Sequence, residues 1–288
     1  MKILRNSDKI YIIYSVRKVM TMKDSCKYKI IDMHAHIFPD KVAQKAVEAI
    51  GGYYGITMKG TGTVAGLIES GQQVGVSKYI IHSSATHVEQ VNSINDYIIK
   101  VQSSNSNLIG FGTLHPGLED AGLEVKRMIA LGLHGVKLHP DFQGFNIDDD
   151  AMLPIYSAVE GKLPVLIHMG DENSTASSPA RLSKIVNLFP GLVIIAAHFG
   201  GYSAWKESSE YLIGRNIYMD TSSSLAFLSP ERAVSMIRRH GVQKMLFGSD
   251  YPMWDHEEEL ERFLRLDLSE EERRSILYGN AQRLLHIK

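Results

Sequence analysis

Short, nearly continuous apolar runs rich in β-branched residues recur along the chain, at residues 29–33, 78–82, 108–113, 135–138, 164–167, 192–197, 216–219 and 244–247. Alternation of apolar and polar positions marks a strand with one wet face; continuous runs mark parallel strands covered on both faces. After the first gap the runs follow one another at roughly 25–30 residues, the size of one strand–helix unit. The segments between them carry helical period. Residues 64–74 put Leu67, Ile68, Gly71 and Val74 on one face, and residues 123–131 do the same with Val125, Met128 and Ile129. Residues 229–239 open with Ser-Pro-Glu, a cap followed by proline at the first helical position, and His240-Gly241 ends them. Residues 269–277 begin Ser-Glu-Glu-Glu, a capping-box pattern.

Eight such units predict a closed (β/α)8 TIM barrel over residues 30–288 rather than an open doubly wound sheet. No Gly-x-Gly-x-x-Gly follows the first strand, which argues against a dinucleotide fold. Residues 1–29 form an N-terminal extension of open role. Its apolar run at 10–16 is too short to span a bilayer and lacks a secretory cleavage pattern. It predicts either an extra strand or a start site that truly lies at Met20 or Met22. Residues 38–63, rich in Gly and Tyr, form a long first connection expected to act as a lid or a subunit contact.

Composition narrows the function without naming it. The chain has 288 residues, 44% of them hydrophobic, and a formal net charge of −1 with both signs mixed along its length. That balance gives no support for nucleic acid or an anionic membrane as partner, and points to a small-molecule substrate. The lone Cys26 permits no internal disulfide, suits a reducing cytoplasmic setting, and reads as a bystander.

Seven of the twelve histidines fall at or just past strand ends: His34, His36, His82, His115, His139, His168 and His198. In a parallel barrel all strands end at one rim, which carries the chemistry, so distant residues converge there. In Asp32-Met33-His34-Ala35-His36 the two histidines are two apart on a strand and share a face. His168 ends the fifth strand and Asp250 the eighth. Three imidazoles and one carboxylate suit one divalent ion: zinc first, with manganese, iron or cobalt as alternatives. His82, His115 and His139 are placed to touch substrate or orient a ligand, or are loop histidines bonded to backbone. His87, His134 and His256 carry no signal. Tyr202, Trp205, Tyr251 and Trp254 line the pocket or pack on the rim.

With these motifs, Gly135-Val136-Lys137-Leu138-His139-Pro140, Ala197-His198-Phe199-Gly200-Gly201, Gly248-Ser249-Asp250-Tyr251-Pro252 and the closing Gly279-Asn280-Ala281, the sequence resembles the amidohydrolase superfamily. The branch it is most similar to is the amidohydrolase-2 type, which includes aminocarboxymuconate-semialdehyde decarboxylase-like enzymes. The resemblance implies that His34, His36, His168 and Asp250 ligate the metal, that His198 is catalytic, and that Asp250 also handles the proton. It leaves Lys137 open: a carboxylated bridge between two metals, or, in the favoured one-metal reading, either a substrate contact beside His139 or a partner that orients a metal ligand. Related barrels pair as homodimers, an analogy only. The expected reaction is hydrolysis of a small carbonyl substrate (amide, lactone or similar) by metal-activated water. The alternative is non-oxidative decarboxylation of a small unsaturated or aromatic acid. A third reading, a barrel that binds without catalysis, would require a lost ligand, and none is missing.

Overall fold

The computed structural model describes residues 27–287 and, near the N-terminus, the backbone of two antiparallel strands, Lys2–Asn6 and Lys9–Ile13. The second of these covers part of the apolar run expected as an extra strand. The rest of that run, Met20, Met22 and Cys26 lie outside the described residues.

Eight parallel strands follow in sequence order around one sheet: β1 (Ile30–His36), β2 (Val76–His82), β3 (Leu108–Thr113), β4 (Gly135–Leu138), β5 (Val165–Ile167), β6 (Ile194–Ala196), β7 (Tyr218–Asp220) and β8 (Met245–Leu246). The ends of the sheet meet. Met33 N donates to Phe247 O at 2.9 Å, Asp250 N to His34 O at 2.9 Å, and His36 N to Tyr251 O at 2.7 Å. The predicted barrel is therefore the observed one. Each run became a buried strand because helices cover its outer face. The main outer helices are α1 (Asp40–Tyr54), α2 (Val64–Gln72), α3 (Val91–Ser104), α4 (Ala121–Ala130), α5 (Leu153–Val159), α6 (Pro179–Leu188), α7 (Trp205–Tyr211), α8 (Pro230–His240) and α9 (His256–Leu264). None of the described helices is long and apolar enough to cross a membrane.

Two caps read from the sequence are present. Ser229 accepts from Arg232 N ahead of α8, and Ser269 with Glu272 closes a capping box. The long first connection contains the fifteen-residue α1, a helix its sequence did not announce. Gly51, Gly52, Tyr53 and Tyr54 hid its period, and Gly55 ends it in the left-handed conformation at φ 64°.

The barrel interior is packed. Ile31, Met33, Ile80, Phe111, Leu166 and Ile195 fill its lower part, closed from below by Ala281 and Leu285. Asn280 ties this closing segment to the start of β8 through bonds to Val242 O and Met245 O, both at 2.7 Å. Above this plug the interior turns polar. The change is built into β1, where the pairing with β2 shifts register between Asp32 and Ala35. The irregularity lets Met33 stay in the apolar plug while His34 and His36 face the mouth.

Candidate metal centre

His34, His36 and Asp250 converge at the carboxyl-end rim. His34 Nε2 stands 3.2 Å from His36 Nε2 and 3.2 Å from Asp250 Oδ1, and His36 Nε2 stands 3.4 Å from the same oxygen. Ligands about 2.1 Å from one ion are separated from their neighbours by about 3–3.4 Å, so this triangle has the dimensions of one face of a coordination shell. Asp250 takes its place from a backbone at φ 61°, a left-handed conformation costly for aspartate and found where function fixes geometry. Gly248 lets the chain approach this closely, since a Cβ there would meet His34 Cβ at 2.9 Å.

The imidazoles are oriented from outside. His34 Nδ1 lies 2.9 Å from Asp220 Oδ2, His168 Nε2 2.9 Å from Gly170 O, and His198 Nδ1 3.0 Å from Ser222 O. Each of these partners accepts, so each outer nitrogen carries the proton and each inner nitrogen presents a lone pair to the interior. The inner nitrogens of His168 and His198 face each other at 3.0 Å. Lone pairs turned together in this way repel unless a cation joins them. This arrangement fits a divalent ion.

Charge points the same way. Burial pushes His36 and His198 down to about 4, so both are neutral donors at physiological pH. Burial likewise holds His82, His139 and His168 well below the ordinary imidazole value. Burial alone would raise the two carboxylates, but the surrounding histidines outweigh it. Asp220 falls to about 2, through His34 above all, and Asp250 lies well below the usual carboxylate range through His34, His36 and His198. Two anions beside the neutral rings of His36 and His198, offset only in part by the buried Lys137 amine, leave net negative charge for a divalent cation.

The other expected residues divide. His198 joins His34 and Asp250 in one potential ligand cluster, while His168 groups with His139 and Asp141. His168 thus reaches the triad through His198. His139 is stacked between Phe142 and His168, with ring centres at 4.0 and 3.9 Å, and lines the cavity above. Of the readings left open for Lys137, the structure favours a partner of a ligand over a substrate contact: the side chain is fully buried, 3.0 Å from His34 Nε2, and absent from the cavity wall. Burial lowers its amine to about 8. His115 caps its own loop by accepting from Gly117 N at 3.0 Å. Trp205 donates to His198 O and Trp254 to Ser223 Oγ, both at 3.0 Å, so both indoles buttress the site.

The cavity over the triad measures about 360 Å³, within the range of small-ligand pockets. Its walls are largely apolar: Phe38, Ile50, Met58, Phe142 and Met253, with Tyr54 from α1. Tyr54 OH lies 3.4 Å from His139 Nε2, and Tyr53 OH donates to Asp171 at 3.0 Å, joining α1 to the loop after β5.

Sequence reasoning missed Asp220, Ser222, Ser223 and Asp32. Asp220 ends β7 and was readable as an acid at a strand's carboxyl end. Its Oδ1 accepts from His198 N at 2.9 Å and Ser222 N at 3.1 Å. Ser223 donates to Asp250 Oδ2. Asp32 accepts from His34 N at 3.0 Å and Ser249 N at 2.9 Å, holding the backbone of two ligand-bearing segments.

Comparison with known proteins matches residues 31–287 to the family described as amidohydrolase. The 2-amino-3-carboxymuconate-6-semialdehyde decarboxylase of Dictyostelium discoideum is 24% identical over 204 residues, 55% of each chain, so the match spans about half the length of that curated relative. An uncharacterised TIM-barrel protein of Bordetella bronchiseptica superposes with a TM-score of 0.73 at 19% identity, covering 90% of this chain and 98% of that one. The 5-carboxyvanillate decarboxylase of Sphingomonas paucimobilis gives 0.68 at 18%, covering 90% and 99%. The dihydroxybenzoic acid decarboxylase of Polaromonas, solved with manganese and the inhibitor 2-nitroresorcinol, gives 0.70 at 17%, covering 90% and 97%. At these identities the solved structures establish a shared fold.

Proposed function

The chain belongs to the amidohydrolase family, and from that premise we propose that it is a divalent-metal-dependent, non-oxidative decarboxylase of a small aromatic or unsaturated carboxylic acid. The observation that carries this reading is the apolar, aromatic-walled cavity directly over the His34–His36–Asp250 triangle. A carboxylate loses carbon dioxide more readily when stripped of water, and such walls strip it. Hydrolysis, the first expectation from the sequence, needs water and a polar leaving group in the same space. The decarboxylase activities named for the curated relative and for two of the structural neighbours support the alternative over hydrolysis. The manganese of one neighbour sets that ion beside zinc as a candidate.

His34, His36 and Asp250 would hold the ion, with His198 and His168 beside it on the cavity side, where a position would stay open for substrate. When bound, the ion supplies a positive anchor for the substrate's oxygen atoms. The chain's residues do the rest. Phe142 and Tyr54 hold the flat body of the acid. In the net reaction R–CO2⁻ and H⁺ give R–H and CO2: the carbon–carbon bond breaks, its electron pair stays on R, and a proton completes the new carbon–hydrogen bond. Asp250 is the carboxylate that lines the cavity, and we assign that proton transfer to it. It is held ionised in the free protein, so it acquires the proton only once substrate or solvent delivers one. Ser223, donating to Oδ2, keeps Asp250 aimed.

The test is a panel of small aromatic acids, 2,6-dihydroxybenzoate and 5-carboxyvanillate included, assayed with manganese- or zinc-loaded protein for carbon dioxide release. In deuterium oxide one deuterium should enter the product at the carbon that lost the carboxylate. Turnover of amides or lactones, with no carbon dioxide from any acid, would return the reading to hydrolysis.

A further inference from the structure

We propose that His82 is a further protein ligand of the ion held by His34, His36 and Asp250. The inference rests on the metal-dependent reading above and adds a residue to it.

His82 ends β2 and pairs in register with His36 of β1, so the two stand side by side at the same height of the barrel. Its ring lies 4.4 Å from that of His36, nearly perpendicular at 85°, and 5.0 Å from that of His34. One ligand atom from each of His34, His36 and His82 falls within 4.8 Å of the others. Ligands on opposite sides of one ion at about 2.1 Å stand about 4.2 Å apart, so the three reach a common centre with small rotations.

The second observation is independent of that spacing. His82 is fully buried, yet neither ring nitrogen has a hydrogen-bond partner among the described residues. Buried polar groups in folded proteins nearly always have partners, and each exception calls for a cause. The neighbouring rings show the contrast. His34, His168 and His198 each rest an outer nitrogen on an acceptor. His82 alone has neither side engaged, so in either tautomer its one lone-pair nitrogen is free to turn toward a cation. A substrate contact does not explain it, because His36 lines the cavity and His82 does not. Coordination from behind the triad does, and it gives the ion a ligand on the face away from substrate.

The experiment loads the wild-type chain with one equivalent of Mn²⁺ or Co²⁺ and locates the ion in a crystal by anomalous scattering. The expected result is a His82 ring nitrogen about 2.0–2.4 Å from the ion. A distance beyond about 3.5 Å, with water or nothing between, overturns the proposal. In solution, His82→Gln and His82→Ala should weaken Co²⁺ affinity at least about tenfold in chelator competition and alter the visible Co²⁺ band. An unchanged band with affinity within about twofold of wild type overturns it too. If either variant fails to fold, the wild-type crystal still decides. A wild-type chain that takes up no ion sinks the metal reading as a whole; a loaded centre with His82 standing off removes His82 alone.

Discussion

Asp32 and His256, 224 positions apart in the chain, meet with Oδ2 and Nε2 at 3.0 Å, and neither side chain is exposed. The contact joins β1 to the start of α9. His256 Nδ1 continues to Ser70 Oγ at 2.8 Å, bringing α2 into the same network. Asp32 also takes a hydrogen bond from Ser249 Oγ at 2.6 Å, beside Asp250. One carboxylate therefore braces the seam where the barrel closes and where two ligand-bearing segments emerge.

Replacing Asp32 by alanine leaves His256, Ser249 and the His34 amide without their acceptor. Removing one partner of a buried pair costs about 3–5 kcal/mol. The expected result is a urea midpoint lowered by that free energy divided by an unchanged slope, read by circular dichroism. A loss under about 1 kcal/mol would mean that the seam is held by packing.

Asp220 acts on the metal through His34. In Asp220→Asn the amide still fills the space but no longer fixes the His34 proton on Nδ1. Changes to such outer partners typically cost 10–100-fold in metal affinity. Chelator competition should show a drop in that range, with the fold intact. An affinity equal to wild type would show that the His34 tautomer is set elsewhere, Ser222 Oγ at 3.1 Å being the other partner.

How far the sequence reached depends on whether a feature is local. The strands were legible because a parallel strand writes itself as one apolar run, and His34, His36 and Asp250 were legible because they sit at the ends of such runs. Asp220 was lost by one position, the seventh run having been ended at Met219. Helix α1 was not read because Ala49, Ile50, Tyr53 and Tyr54 face the cavity rather than a uniform core, and Gly51-Gly52 interrupt the period. His256 was invisible because its partner lies on another strand, and no periodicity reports a contact across 224 positions. The burial of Lys137 behind the ligands, instead of at the cavity wall, is likewise a fact of packing.

The free protein should lose stability as pH falls from 6.5 toward 4. His36 and His198 have native values near 4 against an ordinary 6.5. Between those limits the unfolded chain binds more protons, so stability rises with pH across the window and falls on acidification, by up to about 1.4 kcal/mol per unit for each group. Thermal melts of metal-free protein at half-unit steps check the sign. A midpoint flat from pH 6.5 to 4.5 would show that these rings are not held neutral.

Lys137 predicts a trade of stability against function. Its amine, lowered to about 8 by burial, is charged at pH 7 at a cost to the fold. The linkage sign follows: with a native value below the ordinary 10.5, stability rises as pH climbs from about 8 to 10.5. Lys137→Met should raise the stability of metal-free protein at pH 7 by about 1–3 kcal/mol, as replacement of buried charge by a similar apolar volume often does, while turnover falls. A destabilised variant would instead mean that the contact with His34 Nε2 at 3.0 Å outweighs the burial.

Metal loading should be visible as stability even before any substrate is known. The inward nitrogens of His34, His168 and His198 and the Asp250 carboxylate crowd together in the free chain, and an ion would join them. A ligand that binds only the native state adds about 4 kcal/mol at a thousandfold excess over its dissociation constant. Manganese or zinc should therefore raise the melting midpoint, a chelator should reverse the gain, and Asp250→Asn should cut it sharply by removing the anionic corner of the triangle. Magnesium provides the contrast, since it favours oxygen ligands and keeps its waters. A midpoint that rises equally with magnesium, or that rises as much in Asp250→Asn as in wild type, would place the ion somewhere other than between the two β1 histidines and the end of β8.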